Sequence, residues 1–193
     1  MELPPRQALI QLMLQLQRNG LALSQAYAAR QTALELEKVV TVERLSSMEG
    51  VATSLAVIAA LEALVEEHRK LVRQWLVEAT RQLVPVLEEH PEDQRKDISD
   101  GLMAALQAQM QHQHLSLQAR GEWIDAARSI FRLAQRAREL DPRVERSLFA
   151  NEDDFEEAER QGERMDAASA AEHRLQEELA ARMRARLEQF QPR

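Results

Sequence analysis

Three groups of side chains in this chain have residue types and spacings that chemistry could use. His112 and His114 stand two apart, a spacing that suits a pair of metal ligands on a strand. On a helix, residues two apart point about 200° away from each other, so the stretch Gln-His-Gln-His-Leu-Ser-Leu-Gln reads as solvated surface. A di-iron centre in a helical bundle would need Glu-x-x-His pairs. Three residues before His68, His90, His112, His114 and His173 stand Val65, Leu87, Gln109, Gln111 and Ala170, so none is present. The acid pairs Glu66-Glu67 and Glu88-Glu89 have the composition for general acid–base work, but adjacent acids on a helix are ordinarily solvated. No serine sits in a glycine-flanked elbow, and no glycine-rich loop is built to cradle phosphate. The chain has no cysteine, which excludes thiolate ligands, cysteine nucleophiles and disulfides. No catalytic, cofactor-binding or metal-binding residue is therefore assigned, and the expectation is a protein that is not an enzyme and needs no cofactor.

The third group is a row of arginines. Arg128, Arg132 and Arg136 are spaced by four, which aligns their guanidinium groups along one helix edge, and Arg138, Arg143 and Arg146 extend the basic character. Such a strip suits an acidic partner, phosphate groups or an anionic membrane surface. A second reading is self-pairing. Glu152, Asp153, Asp154, Glu156, Glu157, Glu159 and Glu163 form an acidic run, within reach if the chain reverses between Asp141 and Asn151. The self-paired arrangement is the favoured one, with the charges setting helix register.

Elements that position these groups follow from composition. In 193 residues there are 5 glycines and 6 prolines, and aromatic residues make up 4%. The abundant Ala, Leu, Glu, Gln and Arg are good helix formers, so the chain reads as all-α, with a core of aliphatic residues. Net charge is −7, from 9 basic against 11 acidic residues in 1–90 and 16 against 21 in 91–193. This balance disfavours nucleic acid as a partner. The start, Met1-Glu2-Leu3-Pro4-Pro5, carries no secretory pattern, and a cytoplasmic protein is expected.

Apolar spacing predicts a helix from Pro5 to an interruption at Asn19-Gly20, then another from Leu21 to Met48 stopped by Glu49-Gly50. The strongest ladder runs from Val51 to Leu87 through Leu55, Ile58, Val65, Val72, Trp75, Ala79, Leu83 and Val86, with a kink or an end expected at Pro85. Its most apolar stretch, Val51–Leu61, meets Glu62, Glu66 and Glu67 and falls short of the roughly 20 apolar residues of a membrane span. The next helix is given Asp97 or Ser99 as its cap. Its ladder weakens over Gln111–Gln118, and Gly121 favours a bend. Asp141-Pro142 reads as a cap-and-start pair, and Asn151 caps a last helix from Glu152 to Phe190.

That last helix carries a thin stripe of Phe155, Ala158, Gly162, Met165, Ala168, Leu175, Leu179, Met183, Leu187 and Phe190, as a coiled-coil seam does. The fold expected is an all-α antiparallel helical bundle over 1–140, followed by 141–193 as an acidic turn and a coiled-coil-like helix. That helix folds back on the bundle or pairs between protomers in a homodimer. The function expected is that of a helical protein–protein interaction module, a scaffold, adaptor or chaperone-like subunit. Leu175, Leu179, Met183, Leu187 and Phe190 are its anchors, and Arg128, Arg132 and Arg136 its charged flank. The alternatives are a membrane-surface protein that exposes the apolar helix 51–65 and, behind it, an all-α enzyme without a short motif.

Overall fold

The computed structural model describes residues 4–140 and 148–190, with the side chains of 138–140, 180 and 183–190 outside the description. The described chain is a helical bundle: α1 (Pro5–Thr32), a 3-10 turn (Leu36–Lys38), α2 (Val42–Leu45), α3 (Met48–Glu88), α4 (Glu92–Leu140) and α5 (Glu152–Phe190). Among the described residues there is no strand. Two compact units form: one from the chain up to Gln31 with Glu66–Gln111, the other from Thr32–Val65 with the chain from His112 onward.

In the first unit, Leu16 of α1, Ala79 and Leu83 of α3 and Leu102 of α4 form a buried cluster. Leu9, Leu12, Met13, Trp75, Leu87 and Leu106 pack against it. The helix break expected at Asn19-Gly20 does not occur, and α1 continues to Thr32. Gly20 instead faces Trp75, where an added Cβ would lie 3.2 Å from the indole ring. The missing side chain lets a large ring approach the helix, and that contact offsets the roughly 1 kcal/mol by which glycine disfavours a helix. Beyond it Tyr27 stacks on His68 with centroids 4.4 Å apart, and Arg30 meets Glu67 at 2.8 Å.

The second unit holds the true break, between Thr32 and Val42. Glu35 adopts a left-handed φ of 47°, and the run Val39-Val40-Thr41-Val42 is β-branched and loses rotamer freedom in a helix. Thr41 caps α2 by accepting from the Arg44 amide at 3.3 Å. Ser54, itself buried, donates to the Val39 carbonyl at 2.8 Å and so satisfies a loop acceptor taken out of water. Gly50 lies in the first turn of α3 and does not end a helix. A Cβ there would come within 2.4 Å of the Arg44 carbonyl oxygen.

The ladder on α3 buries Val51, Ile58, Leu61, Leu64 and Val65 in this unit. Pro85 stands in the last turn, and the helix ends three residues later at Glu88. One 18-residue window of α3 reaches a mean hydropathy of 1.7 and carries at most 2 charged residues. By length and composition this helix is apolar enough to cross a membrane, which the short Val51–Leu61 run alone did not suggest. A third of that window is buried.

Asp97 and Ser99 lie inside α4, whose first turn starts at Glu92 after the Pro91 carbonyl accepts from Gln94 and Arg95. The helix continues without a break through Gln111–Gln118 and Gly121. Asp141-Pro142 lies outside the described residues. Asn151 does cap α5, its side-chain oxygen accepting from the Asp154 amide at 2.8 Å.

Candidate functional site

The arginine row divides its partners within the second unit. Arg128 donates to both oxygens of Glu62 on α3, at 2.9 and 2.6 Å. Those hydrogen bonds hold the Glu62 carboxyl below the usual carboxylate range. Arg132 turns back on its own helix, donating to the Arg128 carbonyl and to Ser129. Arg136 reaches Asp154 at 3.4 Å, the contact expected of a chain that reverses between α4 and α5. These cations are largely occupied inside the unit, at an energy of roughly 0 to 1 kcal/mol per exposed pair.

The seam between α4 and α5 carries the concentrated polar chemistry of the unit. Along α5 the residues turned inward are Asp154, Ala158, Gln161, Met165, Ala168 and Glu172, followed by the half-buried Leu175 and Leu179. Their spacing alternates four and three, the repeat of a coiled-coil seam. This differs from the apolar stripe expected for the first half of the helix. Phe155 is exposed and pairs with Phe149 at 6.1 Å, and Gly162 is only half-buried. Asp154 and Gln161, one residue earlier in each case, take the inward positions. The stripe is rotated because Asp154 finds Arg136 and the Asn151 cap sets the start of the helix.

Arg120 of α4 and Glu172 of α5 form a buried ion pair, with side chains 6% and 4% exposed. The Arg120 guanidinium also lies 5.7 Å from the centre of the Trp123 ring, an additional favourable contact for a desolvated cation. The other carboxylate oxygen of Glu172 is buried without a hydrogen-bond partner among the described residues. Two turns before Arg120, His112 is buried as well. Burial pushes its imidazole below the usual range, the nearby Arg182 acts in the same sense, and Glu178 opposes them. The partners Arg136–Asp154, Arg120–Glu172 and His112 with Glu178 and Arg182 climb one helix as they descend the other.

Of the expected anchors, Leu175 and Leu179 are half-buried on the seam, while the side chains of Met183, Leu187 and Phe190 lie outside the described residues. Arg120, Glu172 and Gln161 escaped the reading of the sequence because apolar periodicity does not score them, and His112, expected with His114 on a solvated surface, is instead buried while His114 is exposed. The four-three spacing from Asp154 to Leu179 was the signal that would have found the α5 members. Among the described residues no group of three or more His, Asp or Glu could hold a metal ion. The chain matches no family model, no curated protein and no solved structure.

Proposed function

We infer that this chain is a non-enzymatic interaction module in which α5 recognises another helix, either in a protein partner or in a second copy of the chain, in the cytoplasm. The observation that carries the reading is the character of the α5 seam. Through Glu172 its buried apolar residues are only Ala158, Met165 and Ala168, and Leu175 and Leu179 keep part of their surface exposed. Such a helix has apolar area still to bury, flanked by charges that set register. The Glu156–Arg160 and Glu178–Arg182 pairs supply those flanks on α5 itself.

The test is light scattering coupled to size exclusion on the full chain and on its Leu179→Asp, Leu187→Asp variant. A wild-type assembly that becomes a monomer of unchanged helix content supports the reading. Cooperative unfolding of the variant would make α5 an ordinary core helix, and a monomeric wild type would leave only a heterologous partner, sought by capture on the isolated full chain.

A second reading rests on the apolar window of α3, of which only a third is buried. Exposure of that helix at an interface would produce binding to anionic liposomes at low salt. Absence of binding there removes it.

A further inference from the structure

We propose that Arg120 and Glu172 are the specificity-determining pair of the α4–α5 seam: they select the register, and hence the helix, that α4 accepts. The proposal deepens the interaction reading and rests on it for its use by the protein. Both side chains are buried, and Trp123 backs the cation. The apolar seam positions around them are poor discriminators. Ala158, Met165, Ala168, Leu175 and Leu179 are small or unbranched at Cβ, and Met in particular adapts to many surroundings. A helix held by these residues alone would slide.

The heptad makes the cost of sliding explicit. A slip of seven residues in either direction moves Glu172 away and sets Met165 or Leu179 against Arg120. Neither can accept a hydrogen bond from a guanidinium, so the cation would stay buried without its carboxylate partner. A foreign helix meets the same filter, since it must present a carboxylate at one seam position with apolar residues seven before and after. One buried polar pair that fixes register at the expense of stability is a known use of such residues in coiled coils. Arg136 with Asp154 repeats the rule at the other end of the seam, where the arginine is 60% exposed and the constraint correspondingly weaker.

The chain has no cysteine, so spin labels can be placed cleanly on the full-length protein at Gln118→Cys and Arg174→Cys, both exposed positions. Pulsed electron-spin distance measurement should give one narrow distribution. With Arg120→Met and Glu172→Leu together, helix content is expected to persist and the thermal midpoint to hold or rise. A second distance peak should appear, displaced by up to ~10 Å, the length of seven helical residues. A single narrow peak at the native distance in that variant overturns the proposal.

Should the variant fail to fold, the exchanged pair decides. Arg120→Glu alone should broaden the distribution, and Arg120→Glu with Glu172→Arg should narrow it again; failure of the exchange to narrow it overturns the proposal. Light scattering on the same samples separates the two ideas. A chain monomeric in every variant counts against self-assembly, while the distance distributions still decide the register pair.

Discussion

The contact of α1 with α3 in the first unit and that of α4 with α5 in the second use opposite chemistry. The first is closed by Leu16, Ala79 and Leu83 with Leu102 from α4; its buried polar ring, His68, is stacked on Tyr27, and its Arg30–Glu67 ion pair stays at the surface. The second buries an arginine, a histidine, a glutamine and two acids along one seam. Apolar packing is non-directional, so its strength depends on area and fit. A buried ion pair is directional, and half of one is worse than none. The strength of the first contact therefore depends on area and fit, and that of the second on which groups meet.

The sharpest way to break this comparison is to damage each contact at its centre and then attempt repair. Glu172→Leu alone removes the carboxylate that faces buried Arg120 and is expected to cost about 3–5 kcal/mol. Leu83→Ala, at a side chain only 2% exposed, is expected to cost about 2–5 kcal/mol through lost burial and a cavity. Adding Arg120→Met should recover most of the first loss. Urea unfolding of the three variants measures this. If Glu172→Leu behaves as a surface substitution, within about 0.5 kcal/mol, the seam is not dry and the contrast fails.

Glycines extend the comparison at smaller scale. Gly50→Ala forces a Cβ toward the backbone of Arg44, with contacts of 2.4, 2.8 and 2.9 Å. Backbone cannot yield as a side chain can, so a loss of about 1–3 kcal/mol is expected. Gly20→Ala meets only the Trp75 ring, at 3.2 Å, and gains roughly 1 kcal/mol of helix propensity. Its net effect should lie near zero. Thermal midpoints separate the two, since 1 kcal/mol corresponds to about 2–4 °C in a chain of this size.

These glycines also show where the sequence was legible. The all-α class, α3, and α5 with its Asn151 cap were all readable, because long ladders and capping residues act locally. Gly20 and Gly50 were read as stops, since glycine costs a helix in isolation, and only the neighbouring Trp75 or Arg44 reveals the reason for its presence. The polar seam was illegible for a related cause: Glu172 resembles any solvated glutamate until Arg120, 52 residues away, is placed against it. Arg136 with Asp154 was the exception, readable because only a short reversal separates the two helices.

His112 tests whether the polar seam responds to pH. Its folded-state pKa lies below the usual value, first through burial and then through Arg182, whereas the unfolded imidazole titrates near about 6.5. As pH falls through that value the unfolded chain takes up the proton first, so stability declines. The decline ends once pH is below the folded-state pKa. Unfolding free energies at successive pH values should show this slope in the wild type and a smaller one in His112→Leu. Equal slopes would place the titration elsewhere.

A small and salt-sensitive effect is expected of Arg128→Ala, which removes both hydrogen bonds to Glu62. Both side chains are more than a third exposed, so water and salt screen the pair and a loss of about 0 to 1 kcal/mol is expected. The loss should shrink further as ionic strength rises above about 0.1 M, where the screening length is about 10 Å. Acid should erase it too. The Glu62 carboxyl is held below its usual range by Arg128, so this contribution is present above the unfolded carboxylate pKa of about 4.3 and disappears as pH falls through the folded one. Replacing Glu172 in a parallel salt series should give a loss that salt barely changes, because no counterion reaches a side chain that is 4% exposed. Equal salt sensitivity at the two sites would mean that the α4–α5 seam is as wet as the surface, and its power to choose among helices would go with its dryness.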